Sequence, residues 1–360
     1  MADDAADRLR LIRSANIGPV TYAQLIARFG TASAALAAVP MLAARGGGRA
    51  PVLADPRLIA REQAAVAKLG ARYLFLGTPA YPALLAQTDT APPVLIVRGE
   101  GDLLTRTVVA MVGARNASAA ACRFAREMAH ALASEGVVVV SGLARGIDTA
   151  AHIGAMAGGT IGVIASGIDI AFPPENAALQ ERIATEGLLI AEQPPGAEPL
   201  ARHFPQRNRI IAALALGTVV VEAAPRSGSL ITARLAGEAG REVMAVPGSP
   251  ADPRAQGCNQ LIRDGATLVQ SAADVIELIR PFDARMVRAR TTGYGAPPLA
   301  DASEGERRAV VRLLGPAPVP VDELIRQSGF APAVVQMVLL ELELGGRLAR
   351  HAGGRVSMGA

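Results

Sequence analysis

Four short segments of this chain combine small residues, arginine and hydroxyl or amide side chains in the manner of an anion site. Gly113-Ala114-Arg115-Asn116 directly follows the apolar run Val108–Val112. Its glycine lets backbone approach a ligand, a helix start behind it offers unpaired amides, and Arg115 supplies a positive arm. The second segment, Ser141-Gly142-Leu143-Ala144-Arg145-Gly146, closes the run Val137–Ser141 as a cradle of amides with one hydroxyl. Asp148 is placed to cap the next helix, and His152, one turn in, reads as a packed or hydrogen-bonding residue. In the third, His203 to Ile211, Arg207 and Arg209 flank Asn208, with Phe204 beside them. Charge, hydrogen bonds and one ring suit an extended single strand. A solvated turn with Phe204 plugging the core would use the same residues. The fourth, Glu222 to Thr232, carries Ser227, Gly228 and Ser229 as another nest of amides and hydroxyls.

Several chemistries are excluded. A phosphate loop of the Walker type needs a lysine after its glycines, and the one lysine, Lys68 in AKLGARY, is nowhere near one. No G-x-G-x-x-G follows a strand, and no G-x-S-x-G exists to form a nucleophile elbow. His130, His152, His203 and His351 lack zinc-ligand spacing, and Cys122 and Cys258 stand alone. No catalytic residue, metal or cofactor is assigned.

The loops act together only if one sheet carries them. Val108–Val112, Val137–Ser141, Thr160–Ala165, Leu188–Ala191, Thr218–Val221 and Val243–Val246 are continuous apolar runs, as expected of strands buried on both faces. Helical stretches lie between them at Ala119–Ser134, Asp148–Ala157, Asn176–Glu186, Asn208–Leu214 and Leu230–Gly240. This predicts an α/β domain over 76–283 with a doubly wound, Rossmann-like parallel sheet, which binds ligands at the carboxyl ends of its strands. Residues 1–75 read as a helical domain resembling a helix-hairpin-helix around Asn16-Ile17-Gly18-Pro19, suited either to packing or to DNA contact. Gly46-Gly47-Gly48 reads as a flexible loop. A linker is expected at 284–303. Beyond it, 304–360 predicts a winged-helix-like unit of helices Glu306–Leu314, Val321–Ser328 and Pro332–Leu344 with a hairpin over Arg347–Met358. Glu341 and Glu343 on its third helix oppose a duplex-reading role and favour a structural or protein-contact one, so the tail is expected to be dispensable for DNA binding.

Composition sets outer bounds. The 360 residues are 51% apolar, enough for a sizeable core, but only 3% aromatic with no Trp, which argues against a long stacking platform. Of the 36 basic and 32 acidic residues, residues 1–70 hold nine against five, 71–300 twenty against twenty and 301–360 seven against seven. The +4 excess therefore lies in the first 70 residues, and any polyanion site must be local. Two distant cysteines, an acidic N-terminus and no apolar run of membrane length predict a soluble, cytoplasmic protein.

The order YPALLAQ (81–87), PPVLIVRG (92–99), VGAR (112–115), SGLARGIDTAAH (141–152), FPQRNRIIA (204–212), SGSLITARLAGEAGR (227–241), AVPG (245–248) and GCNQLIRDGA (257–266) is similar to the bacterial DNA processing family DprA, also called Smf. The resemblance covers roughly 75–280. It implies a protein that binds single-stranded DNA arriving by natural transformation, shields it and helps load the RecA recombinase, without a cofactor and as a homodimer. Carried over by residue, the DNA-binding set comprises Gly113, Arg115, Ser141, Gly142, Phe204, Arg207 and Asn208, with Arg209 beside them. Arg145, Ser227, Gly228 and Ser229 join it from the loops read above. Ala114 stands where the family commonly has Ser, so no side-chain role is carried to it. The family's dimer interface falls on Gly257–Ala266, with Leu261 and Ile262 as its apolar residues. A competing reading is a nucleotide-processing enzyme of the nucleoside-monophosphate phosphoribohydrolase type, with Glu222 as its one available acid.

Overall fold

The structure, a computed structural model, describes residues 2–279, 301–351 and 353–359. The expected linker at 284–303 lies almost wholly outside the described residues. The chain divides into two units, Glu62–Ala289 and a second one joining Met1–Arg61 with Arg290–Ala360.

The first unit is built on nine strands: β1 (Arg72–Phe75), β2 (Val94–Gly99), β3 (Val108–Gly113), β4 (Val138–Ser141), β5 (Thr160–Gly167), β6 (Leu188–Gln193), β7 (Gly217–Val221), β8 (Glu242–Ala245) and β9 (Thr267–Leu268). Their order is β1-β2-β6-β5-β4-β3-β7-β8-β9. From β6 to β9 all neighbours are parallel; β2 and β1 extend that edge antiparallel and were not foreseen in the sequence. Side chains alternate between faces along each strand. Val109, Met111, Val139 and Val219 pack under helices Ala119–Ser134 and Ile147–Ala155, whereas Val108, Ala110, Val140 and Val220 pack under His203–Leu214 and Gly228–Glu238. Because both faces are covered, each strand reads as unbroken apolar sequence. The chain winds outward from β3 to β6, then returns to β7 on the other side of β3. That reversal opens a crevice at the carboxyl ends of β3 and β7, where such sheets bind ligands.

The second unit shares one apolar core between its two chain segments. Helices Ala2–Arg13, Pro19–Phe29 and Ala32–Arg45 contribute Leu11, Leu25, Leu36, Val39 and Leu42. Helix Pro332–Leu344 contributes Val335, Val338, Leu339 and Leu342 to the same cluster and is covered on nearly every side. A helix apolar all round belongs in a core, not in a groove. Its Glu341 is fully buried and takes Arg307 in a two-pronged pair, Nε–Oε2 2.7 Å and Nη2–Oε1 3.0 Å. Asp301 joins Arg28 and Arg45 across the two segments. The glycines at 46–48 are not a free loop: a Cβ on Gly46 would overlap the Glu341 carbonyl, and one on Gly48 the Gly345 carbonyl. Around this core the tail has its expected form, with helices Glu304–Leu313 and Val321–Ser328 and strands β10 (Val319–Pro320), β11 (Leu348–His351) and β12 (Arg355–Met358).

No single helix among the described residues is long and apolar enough to cross a membrane.

Candidate nucleic-acid interface

A cleft of about 400 Å³ opens at the crevice between β3 and β7 and is lined by all four segments, the second contributing Ala144, with Asp148 beyond it. Gly113 ends β3 beside Val221, so closely that a Cβ would overlap the Val221 carbonyl. Beyond it Arg115 and Asn116 are exposed on the rim. Across the cleft Arg226, held at φ +70°, and Ser227, Gly228 and Ser229 form the opposite wall. Ser227 caps helix Gly228–Glu238, and its hydroxyl lies 2.7 Å from that of Ser229. The start of this helix therefore faces the cleft with its amide dipoles.

The third segment behaves differently from the expected turn. Helix His203–Leu214 begins five residues before Asn208, Pro205 being tolerated in a first helical turn. Arg207 then falls on the inward face with Ile210, Ile211 and Leu214 and is 6% exposed. Its Nη1 donates to the carbonyls of Gly142 (2.5 Å) and Val163 (2.6 Å), and its Nε to Asn208 Oδ1 (3.1 Å). A Cβ on Gly142 would overlap this guanidinium. Burial lowers the Arg207 pKa to about 10, with Asp148 opposing and Arg115 adding to the shift, so it stays charged near neutrality. Arg207 thus ties its helix to the end of β4 and the middle of β5 and lines the cleft without reaching out of it.

The second segment is likewise turned inward. The Ser141 hydroxyl is buried and donates to Met111 O at 2.6 Å. Asp148 does not cap its own helix: its Oδ2 accepts the amides of Gly142 (3.2 Å) and Ala144 (3.3 Å), which are therefore not offered to a ligand. Burial raises the Asp148 pKa, with Arg207 the largest opposing influence. His152 is a core residue as read from the sequence. Its Nδ1 lies 2.7 Å from Thr160 Oγ1, which itself donates to Val139 O, so Nδ1 carries the proton; burial lowers its pKa to about 3.

Beside the main cleft lies a smaller one of about 110 Å³, sharing Arg115, Ala144, Phe204 and Arg207 with it and adding Gly142, Arg145, Phe172 and Pro173. Arg145 is exposed there and pairs with Glu175 at 2.5 Å. The Arg115 guanidinium lies over the Phe204 ring, 5.6 Å from its centroid, and Phe172 meets the same ring at 5.5 Å and 57°. The sequence offered one ring; the fold supplies two. Phe172 was missed because nothing in the spacing of residues 172 and 204 signals their contact. Arg226 and Asn116 were also passed over, although both lie in loops already singled out.

Two assigned groups lie elsewhere. Arg209 bonds to Thr90 O and pairs with Glu192 at 2.5 Å, beside a separate cleft lined by Gln87, Asp89 and Arg241. Leu261 and Ile262, on helix Gln256–Arg263, are half-buried against the sheet's core. Glu222, the acid that an enzyme would need, is spent on the start of helix Ala119–Ser134. Its Oε1 accepts the Ser118 hydroxyl at 2.6 Å and its Oε2 the Ser118 amide at 2.8 Å.

Residues 72–280 match the family model for DNA recombination-mediator protein A, residues 2–65 that for a DprA-like N-terminal HHH domain and residues 295–354 that for the DprA winged helix domain. Protein Smf of Escherichia coli is 39% identical over 280 residues, covering 77% of this chain and 74% of its own. DNA processing protein DprA of Streptococcus pneumoniae is 46% identical over 198 residues, 54% of this chain and 70% of its own. The solved structure of the Streptococcus pneumoniae protein aligns with a TM-score of 0.57 at 41% identity, over 62% of this chain and 82% of that one. DNA processing protein A of Helicobacter pylori, whose structure was described for its single-stranded DNA binding mode, aligns at 0.53 with 27% identity over 59% and 96%. On these matches the chain belongs to the DNA recombination-mediator protein A family, the DprA/Smf proteins.

Proposed function

We propose that this chain binds single-stranded DNA through the joined clefts at the carboxyl ends of β3 and β7. The observation that carries this reading is the convergence of exposed Arg115 and Arg226 with the start of helix Gly228–Glu238 over one cleft continuous with two aromatic rings. Among the described residues neither arginine is held in an ion pair. Arginine fits phosphate oxygens, a helix start adds amides, and rings take bases without reading their edges. Arg145 sits at the end of this track. Arg207 and Asp148 support it from beneath as a buried pair of opposite charges. The single-stranded DNA binding named for the Helicobacter pylori relative supports the same reading.

The biological role that follows is protection of incoming DNA and its transfer to RecA during transformation, without cofactor or catalysis. Self-association through helix Gln256–Arg263 would give the family's homodimer. The phosphoribohydrolase alternative is not favoured, because Glu222 is occupied by Ser118. Fluorescence anisotropy with a labelled oligothymidine tests the proposal. Arg115→Ala combined with Arg226→Ala should weaken binding at least ten-fold; wild-type affinity in the double variant would end it.

A further inference from the structure

The loop that presents Arg115 is short, and adjacent residues of β7 and its following turn hold both of its ends. At its start Gly113 is the last residue of β3 in register with β7, opposite Val221. At its far end Ser118 is gripped by the next residue, Glu222, whose Oε2 accepts the Ser118 amide at 2.8 Å and whose Oε1 accepts the hydroxyl at 2.6 Å. Only residues 114–117 span the two fixed points. Capping of helix Ala119–Ser134 does not require this grip, because the Ser118 hydroxyl oxygen itself accepts the Ala121 amide at 3.1 Å. Glu222 reaches Ser118 from a costly backbone position. Its φ is +48°, a region that long side chains rarely occupy, and Arg226 stands at +70° in the same loop. Strain of this kind persists where surrounding contacts over-determine it, and the two charge-assisted bonds to Ser118 are such contacts.

We infer that Glu222 is a positioning residue for DNA binding, tying the Arg115 loop on one wall of the cleft to the Arg226 loop on the other. The inference rests on the single-strand reading above and adds the residue that sets the spacing of its two exposed arginines. Glu222 touches no phosphate itself. It is half-buried and lines a separate cleft of about 440 Å³ with Arg123 and Phe124, behind the loop it holds. A loop ordered before the strand arrives loses little further freedom on binding, so the clamp acts on affinity and not only on stability.

A double-mutant cycle with Arg115→Ala tests this, because a residue that acts through Arg115 has no effect once Arg115 is gone. Affinity is read by anisotropy with a labelled oligothymidine, alongside the melting temperature of each variant. Glycine takes φ +48° without strain, so Glu222→Gly should melt near the wild-type temperature. Its affinity should nevertheless fall roughly three- to ten-fold, since a loosened loop must be ordered on binding. In the Arg115→Ala protein the same change should alter affinity by less than about two-fold. Glu222→Gln keeps the side-chain length and one acceptor and should restore much of the affinity. Ser118→Ala breaks the clamp from its other side and should weaken binding only while Arg115 is present. If Glu222→Gly does not fold, the cycle is read from Ser118→Ala with the same outcomes. Wild-type affinity of the clamp variant, or losses that multiply in the double variant, overturns the inference and leaves the single-strand reading intact. Failure of the wild-type protein to bind the oligothymidine overturns both.

Discussion

Replacing Arg207 by Ala tests whether this arginine works beneath the DNA track or on it. Its loss leaves the Gly142 and Val163 carbonyls without their donor and Asp148 buried without its main counter-charge. Removing one partner of a buried charge pair costs about 3–5 kcal/mol. For a unit of this size each kcal/mol moves the melting temperature by about 2–4 °C, so Arg207→Ala should melt roughly 6–20 °C lower. The loss should depend on pH in a defined sense. The folded-state pKa of Asp148 already lies above its ordinary value, so its ionisation disfavours folding as pH rises through the folded pKa. Without Arg207 that pKa rises further. The gap between variant and wild type should therefore widen as pH rises through the raised folded-state pKa of Asp148 and narrow toward acid. Adding Asp148→Asn should recover part of the loss at neutral pH. Calorimetry across pH 4 to 9 on the wild type and the two variants reads all of this. Unchanged melting of Arg207→Ala, with only weaker DNA binding, would refute the buried assignment and return Arg207 to the phosphate track.

Glu341→Gln should lower the melting temperature of the unit shared by the chain ends, by about 3–5 kcal/mol of stability, because Arg307 then lacks its buried carboxylate; a melt of the full chain reads it. Ending the chain at residue 280 should strip Leu36, Val39 and Leu42 of their cover, giving dye binding or aggregation in place of the dispensable tail expected from sequence. Arg115→Ala alone should weaken single-strand binding about ten-fold on every sequence and reduce the salt slope by about 0.7, read by anisotropy across a salt series. Ile262→Glu should shift sedimentation from dimer to monomer if helix Gln256–Arg263 joins the protomers.

The parts of this molecule that could be read from sequence are those set by local pattern. Buried parallel strands write themselves as runs such as Val108–Val112, and the loops closing them follow from the fold class. The direction of a side chain is another matter. Arg207 beside Asn208 looks like a solvent-facing pair until the helix is seen to start at His203. Only then do Arg207, Ile210, Ile211 and Leu214 fall at i, i+3, i+4 and i+7 of one inward face. That spacing was present in the sequence and outweighs residue type. Glu341 carried a similar sign, an acid within the apolar helix Pro332–Leu344, which implies a buried partner. The contact of Phe172 with Phe204, and the seating of Gly46–Gly48 against the end of that helix, are products of distant chain segments meeting, and no local signal announces them.

Phosphates and unpaired bases, not a duplex, are expected to fill the joined clefts. A mobility-shift assay with single strands and matched duplexes across a salt series measures this most directly. The expected result is a clear preference for the single strand, indifference to its sequence, and log affinity falling linearly with log salt. Equal affinity for the duplex, or binding that does not respond to salt, would contradict it.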